Sequence, residues 1–257
     1  INGDIKSTHM KIALFSDIHA NLPALEAMLA DIDAQQPDAI FCLGDLVGYH
    51  VWPNEVCELI RERNIPTIAG NYDDGVGRNS DDCGCAYKTD EEKANGARSI
   101  AYTNQIITEK NRKFLDELPR EIRLPFGEDH ARFDLLLVHG SPRRINEYLF
   151  EDRTDKSLVH IMEEAEADIL CFGHTHKPWH RTLTGRDGQT LHAINIGSVG
   201  KPKDGDPRAC YVLLEIDEDG LGEVQFRRVA YDVEGSAAAV EASVLPQAFA
   251  DALRTAR

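Results

Sequence analysis

The stretch Lys11-Ile12-Ala13-Leu14-Phe15-Ser16-Asp17-Ile18-His19-Ala20-Asn21-Leu22 decides how the rest of the chain is read. Its first half is a short apolar run, as a buried strand requires, and it breaks off at a carboxylate and an imidazole two residues apart. Beyond it Leu22, Leu25, Met28, Leu29 and Ile32 recur at helical spacing, with Pro23 tolerated in the first turn. A strand, a pair of metal-ligating side chains and a helix in succession form one βα unit with its chemistry at the carboxyl end of the strand.

Outward from this unit the pattern repeats. Residues 39–43 predict a second strand, 54–63 a second helix and 67–69 a third strand. Residues 78–118 are polar and mostly helical after a loop, with Thr108 as a cap. A buried strand is expected at 133–138, a helix at 157–165 and another strand at 168–172. Then 179–183, 190–195, 209–216 and 223–229 alternate as strands, joined by Gly/Asp turns such as 184–188 and 217–220, before one closing helix from about residue 235 to the end. No repeat or linker interrupts this, so residues 10–257 are expected to form a single α/β domain. Ser7-Thr8-His9 running into Met10 reads as a remnant of tag removal, which sets residues 1–9 aside.

With 257 residues and 42% hydrophobic content the chain has enough apolar surface for a sizeable core. Lys plus Arg number 28 against 44 Asp plus Glu, a formal charge of −16, which is the wrong sign for wrapping nucleic acid non-specifically or docking to anionic lipid. No apolar run approaches the roughly 20 residues that span a bilayer. Six scattered cysteines, several inside apolar runs, read as reduced thiols of a cytoplasmic protein. Cys83-Gly84-Cys85 is a close pair in a Gly/Asp-rich loop, but no second pair stands nearby to complete a zinc site.

Each expected strand of the α/β part ends in ligand types: Asp17-Ile18-His19, Gly44-Asp45, Gly70-Asn71, His139-Gly140 and Gly173-His174-Thr175-His176. The carboxyl ends of strands in such a sheet share one rim, so Asp17, His19, Asp45, Asn71, His139, His174 and His176 should converge. Seven N/O donors exceed what one ion takes while keeping water, but suit two adjacent ions sharing a carboxylate. Four imidazoles and no thiolate favour two divalent transition metal ions (Mn, Fe, Zn, Ni or Co) over Ca or Mg.

This ordered set of five motifs resembles the calcineurin-like metallophosphoesterase superfamily, and Asp17-Ile18-His19-Ala20-Asn21-Leu22, Gly44-Asp45-Leu46-Val47-Gly48-Tyr49 and Asn195-Ile196-Gly197-Ser198-Val199-Gly200 resemble its small bacterial and archaeal, phosphodiesterase-like branch. The resemblance covers residues 11 to about 200. It implies a four-layer αββα sandwich with two mixed β-sheets. It also implies that Asp17, His19, Asp45 and His176 hold one ion while Asp45, Asn71, His139 and His174 hold the other. Two divalent ions, two carboxylates and a bridging hydroxide leave a local surplus of about one positive charge, which draws phosphate. The ions acidify that water into the nucleophile and stabilise the non-bridging oxygens.

The third motif departs from the family pattern, which often places a histidine after the asparagine to assist the leaving oxygen. Here Gly70-Asn71-Tyr72-Asp73-Asp74 puts a phenol there, a hydrogen-bond donor with a pKa of about 10 and no positive charge. Tyr72, Asp73 and His50, in the loop after the second motif, are the catalytic candidates. The expectation is therefore a metal-dependent phosphodiesterase or nucleotide-directed hydrolase with a small phosphoester substrate. The alternatives are a phosphatase acting on phosphoprotein or diadenosine polyphosphate, or a non-catalytic scaffold of the same fold. Asn21 either touches phosphate or caps the first helix. Lys201, Lys203 and Arg208 are placed to meet a distal part of the substrate. His130, His160, His180 and His192 read as structural.

Overall fold

Period-two alternation along the first strand sets the layers: Ile12 and Leu14 point into one buried cluster, Ala13 and Phe15 into another. The computed structural model describes residues 9–127, 133–217 and 220–257. In chain order its first half holds β1 Met10–Phe15, α1 Leu22–Gln35, β2 Ala39–Cys42, α2 Pro53–Glu62, α3 Asn71–Gly77, α4 Asp90–Ile106, α5 Glu109–Asp116, β3 Glu121–Phe126 and β4 Phe133–Val138. The second half holds α6 Asp155–Glu164, β5 Ile169–Phe172, β6 Trp179–Thr184, β7 Thr190–Asn195, β8 Ala209–Asp217, β9 Gly220–Val229, α7 Val233–Glu241 and α8 Gln247–Thr255.

The strands form two mixed sheets, ordered β2-β1-β8-β9 and β3-β4-β5-β7-β6. β1 runs parallel to β2 and antiparallel to β8, while β5 lies parallel between β4 and β7. Between the sheets Ile12, Leu14, Leu135, Leu137, Ile169, Cys171, Ile194 and Val212 form the central seam. On the outer face of the first sheet Ala13, Phe15 and Tyr211 meet Leu25, Met28, Val240 and Phe249 from the helices. On the other outer face Leu136, Leu170 and Phe172 meet Leu158 and Met162 of α6. This is the expected four-layer αββα sandwich.

Two expectations need correction, and one strand was missed. Residues 67–69 do not form a strand: a single bridge joins Thr67 to Cys42, and the Ala69 N–H then turns away to donate to Pro119 O at 2.7 Å. The closing helix is two helices, because Pro246 brings no N–H and the intervening Leu245 N–H is taken by Ser243 Oγ at 3.0 Å. β3 was not foreseen, since Pro125 argues against a strand, but β3 is an edge and an edge tolerates the missing donor. Thr108 caps α5 as expected, accepting from Asn111 N at 3.3 Å. The centre of the turn expected at 217–220, and His130, lie outside the described residues.

Candidate metal centre

The ligand-bearing loops leave the carboxyl ends of strands in both sheets. β1 delivers Asp17 and His19, β2 delivers Asp45, β4 delivers His139, and β5 delivers His174 and His176. Asn71 comes instead from the first turn of α3. The loops are knitted by their backbones: Asp17 N–H donates to Gly44 O and His19 N–H to Asp45 O, both at 2.9 Å, and Gly173 N–H donates to His139 O at 2.9 Å. Close approach demands glycine at two points. A Cβ on Gly70 would collide with the Asp45 carboxylate, and one on Gly173 with the Asp17 carboxylate. Asp17, His19, Asp45, His174 and His176 all sit in left-handed backbone with φ between +49° and +65°, a conformation ordinary residues adopt only where the surroundings enforce it.

Every donor but His174 has one side fixed by a hydrogen bond and one turned inward. Asp45 Oδ1 accepts from Tyr72 N at 2.8 Å and Asp17 Oδ2 from His174 N at 3.0 Å, so each carboxylate points its other oxygen inward. The Nδ1–H groups of His19, His139 and His176 donate to the carbonyls of Val47, Leu43 and Lys201 at 3.0, 2.8 and 2.6 Å. In the neutral rings of His19 and His176 that fixes the tautomer and leaves Nε2 as a bare lone pair. Asn71 Nδ2 donates to Cys83 O at 2.9 Å, turning its Oδ1 to within 3.2 Å of His139 Nε2.

All seven predicted ligands come together, none more than 4% exposed. They form two compact groups, Asp17 with His19 and His176, and Asp45 with His139 and His174. Asp45 Oδ2 stands between them, 3.6 Å from His19 Nε2 and 3.4 Å from His139 Nε2. The donor set fits divalent cations on physical grounds. His19 Nε2 and His176 Nε2 face each other at 3.1 Å, two lone pairs that repel unless a positive charge lies between them. Asp17 Oδ1 and His174 Nε2 are buried and take part in no hydrogen bond.

Electrostatics point the same way. Burial, reinforced by neighbouring cationic groups, holds His19, His174 and His176 well below the usual imidazole range, so they are neutral. His139 goes the other way: burial opposes its charge, but Asp45 and Asp17 outweigh that and push it up to about 10. Burial raises Asp45 as well, despite His139. A buried pocket of two carboxylates and three neutral imidazoles attracts positive charge, and the proton on His139 supplies part of it.

The catalytic candidates divide. Tyr72 packs its ring 5.4 Å from that of His19 and 4.8 Å from that of Tyr49, and its buried hydroxyl makes no well-aligned hydrogen bond, although Tyr49 and Tyr87 lie within reach. Burial raises its pKa, so it remains a donor. His50 Nδ1 donates to His19 O at 2.6 Å, and burial pulls its pKa down to about 3. Such an imidazole is neutral at pH 7, with an unpartnered acceptor nitrogen at Nε2 and no charged proton to give. Asp73 places Oδ1 on Leu46 N at 2.8 Å and Oδ2 on Gly70 N at 2.9 Å, tying the second motif to the third. Burial, with Asp45 nearby, pushes its pKa up to about 7.

Asn21 caps α1, accepting from Ala24 N at 3.4 Å, and its amide donates to Gly200 O at 3.0 Å, so the capping reading accounts for it. His180 and His192 bond each other at 3.0 Å, away from the centre, and His160 pairs with Glu164. Two neighbours of the centre escaped the sequence reading. Cys85 Sγ accepts from Asn71 Nδ2 at 3.2 Å, and the Tyr148 ring lies 4.1 Å from that of His174. The Gly/Asp-rich loop around Cys85 was the available signal for the first. Nothing in the sequence pointed to the second.

The geometry has close counterparts. The Methanocaldococcus jannaschii protein MJ0912 is 36% identical over 249 residues, spanning 92% of this chain and 94% of its own length. The Escherichia coli phosphodiesterase YfcE is 26% identical over 220 residues, 81% of this chain and 89% of its own. Among solved structures, a metallophosphoesterase from Sphaerobacter thermophilus superposes with a TM-score of 0.72 at 30% identity, covering 97% of this chain and 100% of that one. The family model of the calcineurin-like phosphoesterase superfamily domain matches residues 10–219, a span that takes in every strand but β9 and every loop carrying a candidate ligand. Motif order, layered sheets and paired donor clusters thus agree, and the chain belongs to the calcineurin-like phosphoesterase superfamily.

Proposed function

We propose that this chain is a dinuclear, metal-dependent phosphoesterase that hydrolyses phosphodiesters or nucleotide-type phosphate esters. The observation that supports this reading is that Asp45 Oδ2 lies 3.6 Å from His19 Nε2 of one donor group and 3.4 Å from His139 Nε2 of the other, where one carboxylate would serve both. Asp17, His19, Asp45 and His176 would hold one divalent ion, and Asp45, Asn71, His139 and His174 the other; N/O donors of this kind suit Mn, Fe, Zn or Ni. When bound, such ions supply charge stabilisation for the phosphoryl oxygens and an acidified water as nucleophile.

The chain's own residues set the rest. Tyr72 offers a neutral phenolic hydrogen bond toward the leaving oxygen, and His50 is a neutral neighbour that steadies the His19 backbone. Asp73 acts as a positioning residue through Leu46 and Gly70. A site without a charged acid favours leaving groups that depart as stable anions, which supports diesters and anhydrides over alkyl monoesters. The phosphodiesterase named among the relatives supports the same preference. A non-catalytic scaffold would have no use for a complete donor set, and here all seven donors are present. Residues 10–257 act as one domain in this reading: α7 and α8, beyond the family match, share a core cluster with β1 through Val240 and Phe249. Six free thiols support a cytoplasmic setting, and no helix among the described residues is long and apolar enough to cross a membrane.

The test is metal analysis of purified protein coupled to a panel of aryl and alkyl phosphodiesters and monoesters, after chelation and readdition of Mn, Ni, Zn or Fe. Two ions per chain and metal-restored diesterase activity are expected. Undiminished hydrolysis by verified metal-free protein would refute the mechanism.

A further inference from the structure

The three cations near the turn at Gly197-Ser198 have different fates. Arg208 is exposed and forks onto Asp206, with Nη2 2.6 Å from Oδ2 and Nε 2.9 Å from Oδ1. Lys201 and Lys203 are half-buried, and among the described residues neither ammonium makes a hydrogen bond or an ion pair within 4.0 Å. The Lys201 ammonium lies 4.5 Å from the centre of the Tyr49 ring, which in turn packs 4.8 Å from the His19 ring. Lys203 is within electrostatic reach of Asp17, Asp45, His174 and His176. Glu92, outside the centre, reaches both lysines electrostatically, but its Oε2 accepts from Lys88 N at 2.7 Å.

The segment carrying them is rigidly tied to the first donor group. Lys201 O accepts from His176 Nδ1 at 2.6 Å and Lys203 N donates to His176 O at 3.2 Å. Lys201 N donates to Ser198 Oγ at 2.9 Å, which itself donates to Asp17 O at 2.8 Å. Half-buried ammonium groups without a counter-ion are costly to hold. They are costlier beside a centre that takes up divalent cations, since Asp17 and Asp45 are then engaged. A singly charged diester is already matched by that centre, so the two lysines are in surplus unless the substrate brings more negative charge.

We propose that Lys201 and Lys203 form a second-anion subsite beside the metal centre, so that the substrate is a phosphoester carrying a further phosphate group. This rests on the phosphoesterase reading above. Two ammonium donors suit the oxygens of a phosphate, and the Tyr49 ring fixes one of them in place.

The test is calorimetric binding of thymidine 5′-monophosphate, thymidine 5′-diphosphate and thymidine 3′,5′-bisphosphate to manganese-loaded protein. One of the doubly phosphorylated nucleotides should bind about tenfold or more tightly than the monophosphate, as one charge-assisted hydrogen bond supplies. Lys201→Met combined with Lys203→Met should bring that ratio toward one, and each single substitution should bring it part-way. Arg208→Met should leave the ratio at its wild-type value. No preference in the wild-type protein would overturn the proposal, and so would equal weakening of all three nucleotides in the double variant, which would place the lysines on the scissile phosphate. Hydrolysis of bis(p-nitrophenyl) phosphate, measured in parallel, reports on the phosphoesterase reading alone.

Discussion

Replacing Tyr72 by phenylalanine should move stability and activity in opposite directions. The ring is 1% exposed and its hydroxyl makes no well-aligned hydrogen bond, although Tyr49 and Tyr87 lie within reach, so the folded protein without substrate carries an under-satisfied polar group. Such a group costs about 1–3 kcal/mol, and Tyr72→Phe removes it while leaving the ring packed on Tyr49 and His19. At about 2–4 °C per kcal/mol for a chain of this size, chelated Tyr72→Phe should melt about 2–12 °C above the chelated wild type. If the same hydroxyl donates to the leaving oxygen, the metal-loaded variant loses one neutral hydrogen bond in the transition state, about 0.5–1.5 kcal/mol, or roughly 2- to 13-fold in kcat/KM. An alkyl diester should show this loss and an aryl diester should show little of it, because its leaving group needs no help. Thermal melts followed by circular dichroism and steady-state kinetics on the two esters check both arms. A variant that melts lower than wild type, or loses activity equally on both esters, would refute the reasoning.

Asp45→Asn should reduce metal content at both positions, whereas Asp17→Asn or His139→Ala should empty one preferentially; metal per chain by mass spectrometry decides, and equal small losses in all three would remove the bridging role. Gly173→Ala should lower metal content with every donor residue left in place, because the new methyl displaces the Asp17 carboxylate and Ser16 Oγ, and wild-type metal content in this variant would contradict this. The metal-free protein should gain stability as pH rises from 5 to 6.5. Folded His19, His50, His174 and His176 stay neutral there while the unfolded chain protonates them, so the unfolded state binds more protons and the slope is positive. Asp73, with its pKa pushed up to about 7, holds a proton only in the folded state and subtracts one, leaving a limiting slope of about 4.1 kcal/mol per pH unit at the acid end, which the raised Asp45 and, toward pH 6.5, the raised His139 trim further. Urea denaturation at several pH values checks the sign, and a flat or negative slope would show the imidazoles charged in the fold.

The candidate donors were legible because their types are rare at strand ends and each is accompanied by a glycine or a second donor. The helix at Asn71–Gly77 was not, since Asn-Tyr-Asp-Asp-Gly-Val-Gly has poor helical propensity and its start is held by Asp73, whose carboxylate accepts from Gly70 N. Alternation and apolar runs predicted most of the strands and the family resemblance implied the sandwich, yet the edge strand β3 was hidden by Pro125 and the break before α8 was overlooked although Pro246 marks it. The roles of His50 and of the two lysines depend on which carbonyls and rings stand nearby, and sequence spacing carries no record of that. Cys85 and Tyr148 belong with them: each reaches the centre through a loop whose course only the folded chain reveals.

The left-handed backbone at Asp17, His19, Asp45, His174 and His176 bears on how this chain responds to selection. Each non-glycine residue held there gives up about 1–2 kcal/mol relative to ordinary conformations, and glycine at the same position gives up far less. A library of variants screened for folding alone, without metal or substrate, should therefore accumulate glycine at these five positions and emerge more heat-resistant and inert. A screen that also demands hydrolysis should return aspartate and histidine. The contrast between the two pools would map the centre residue by residue, whichever ion it takes and whichever ester it cleaves.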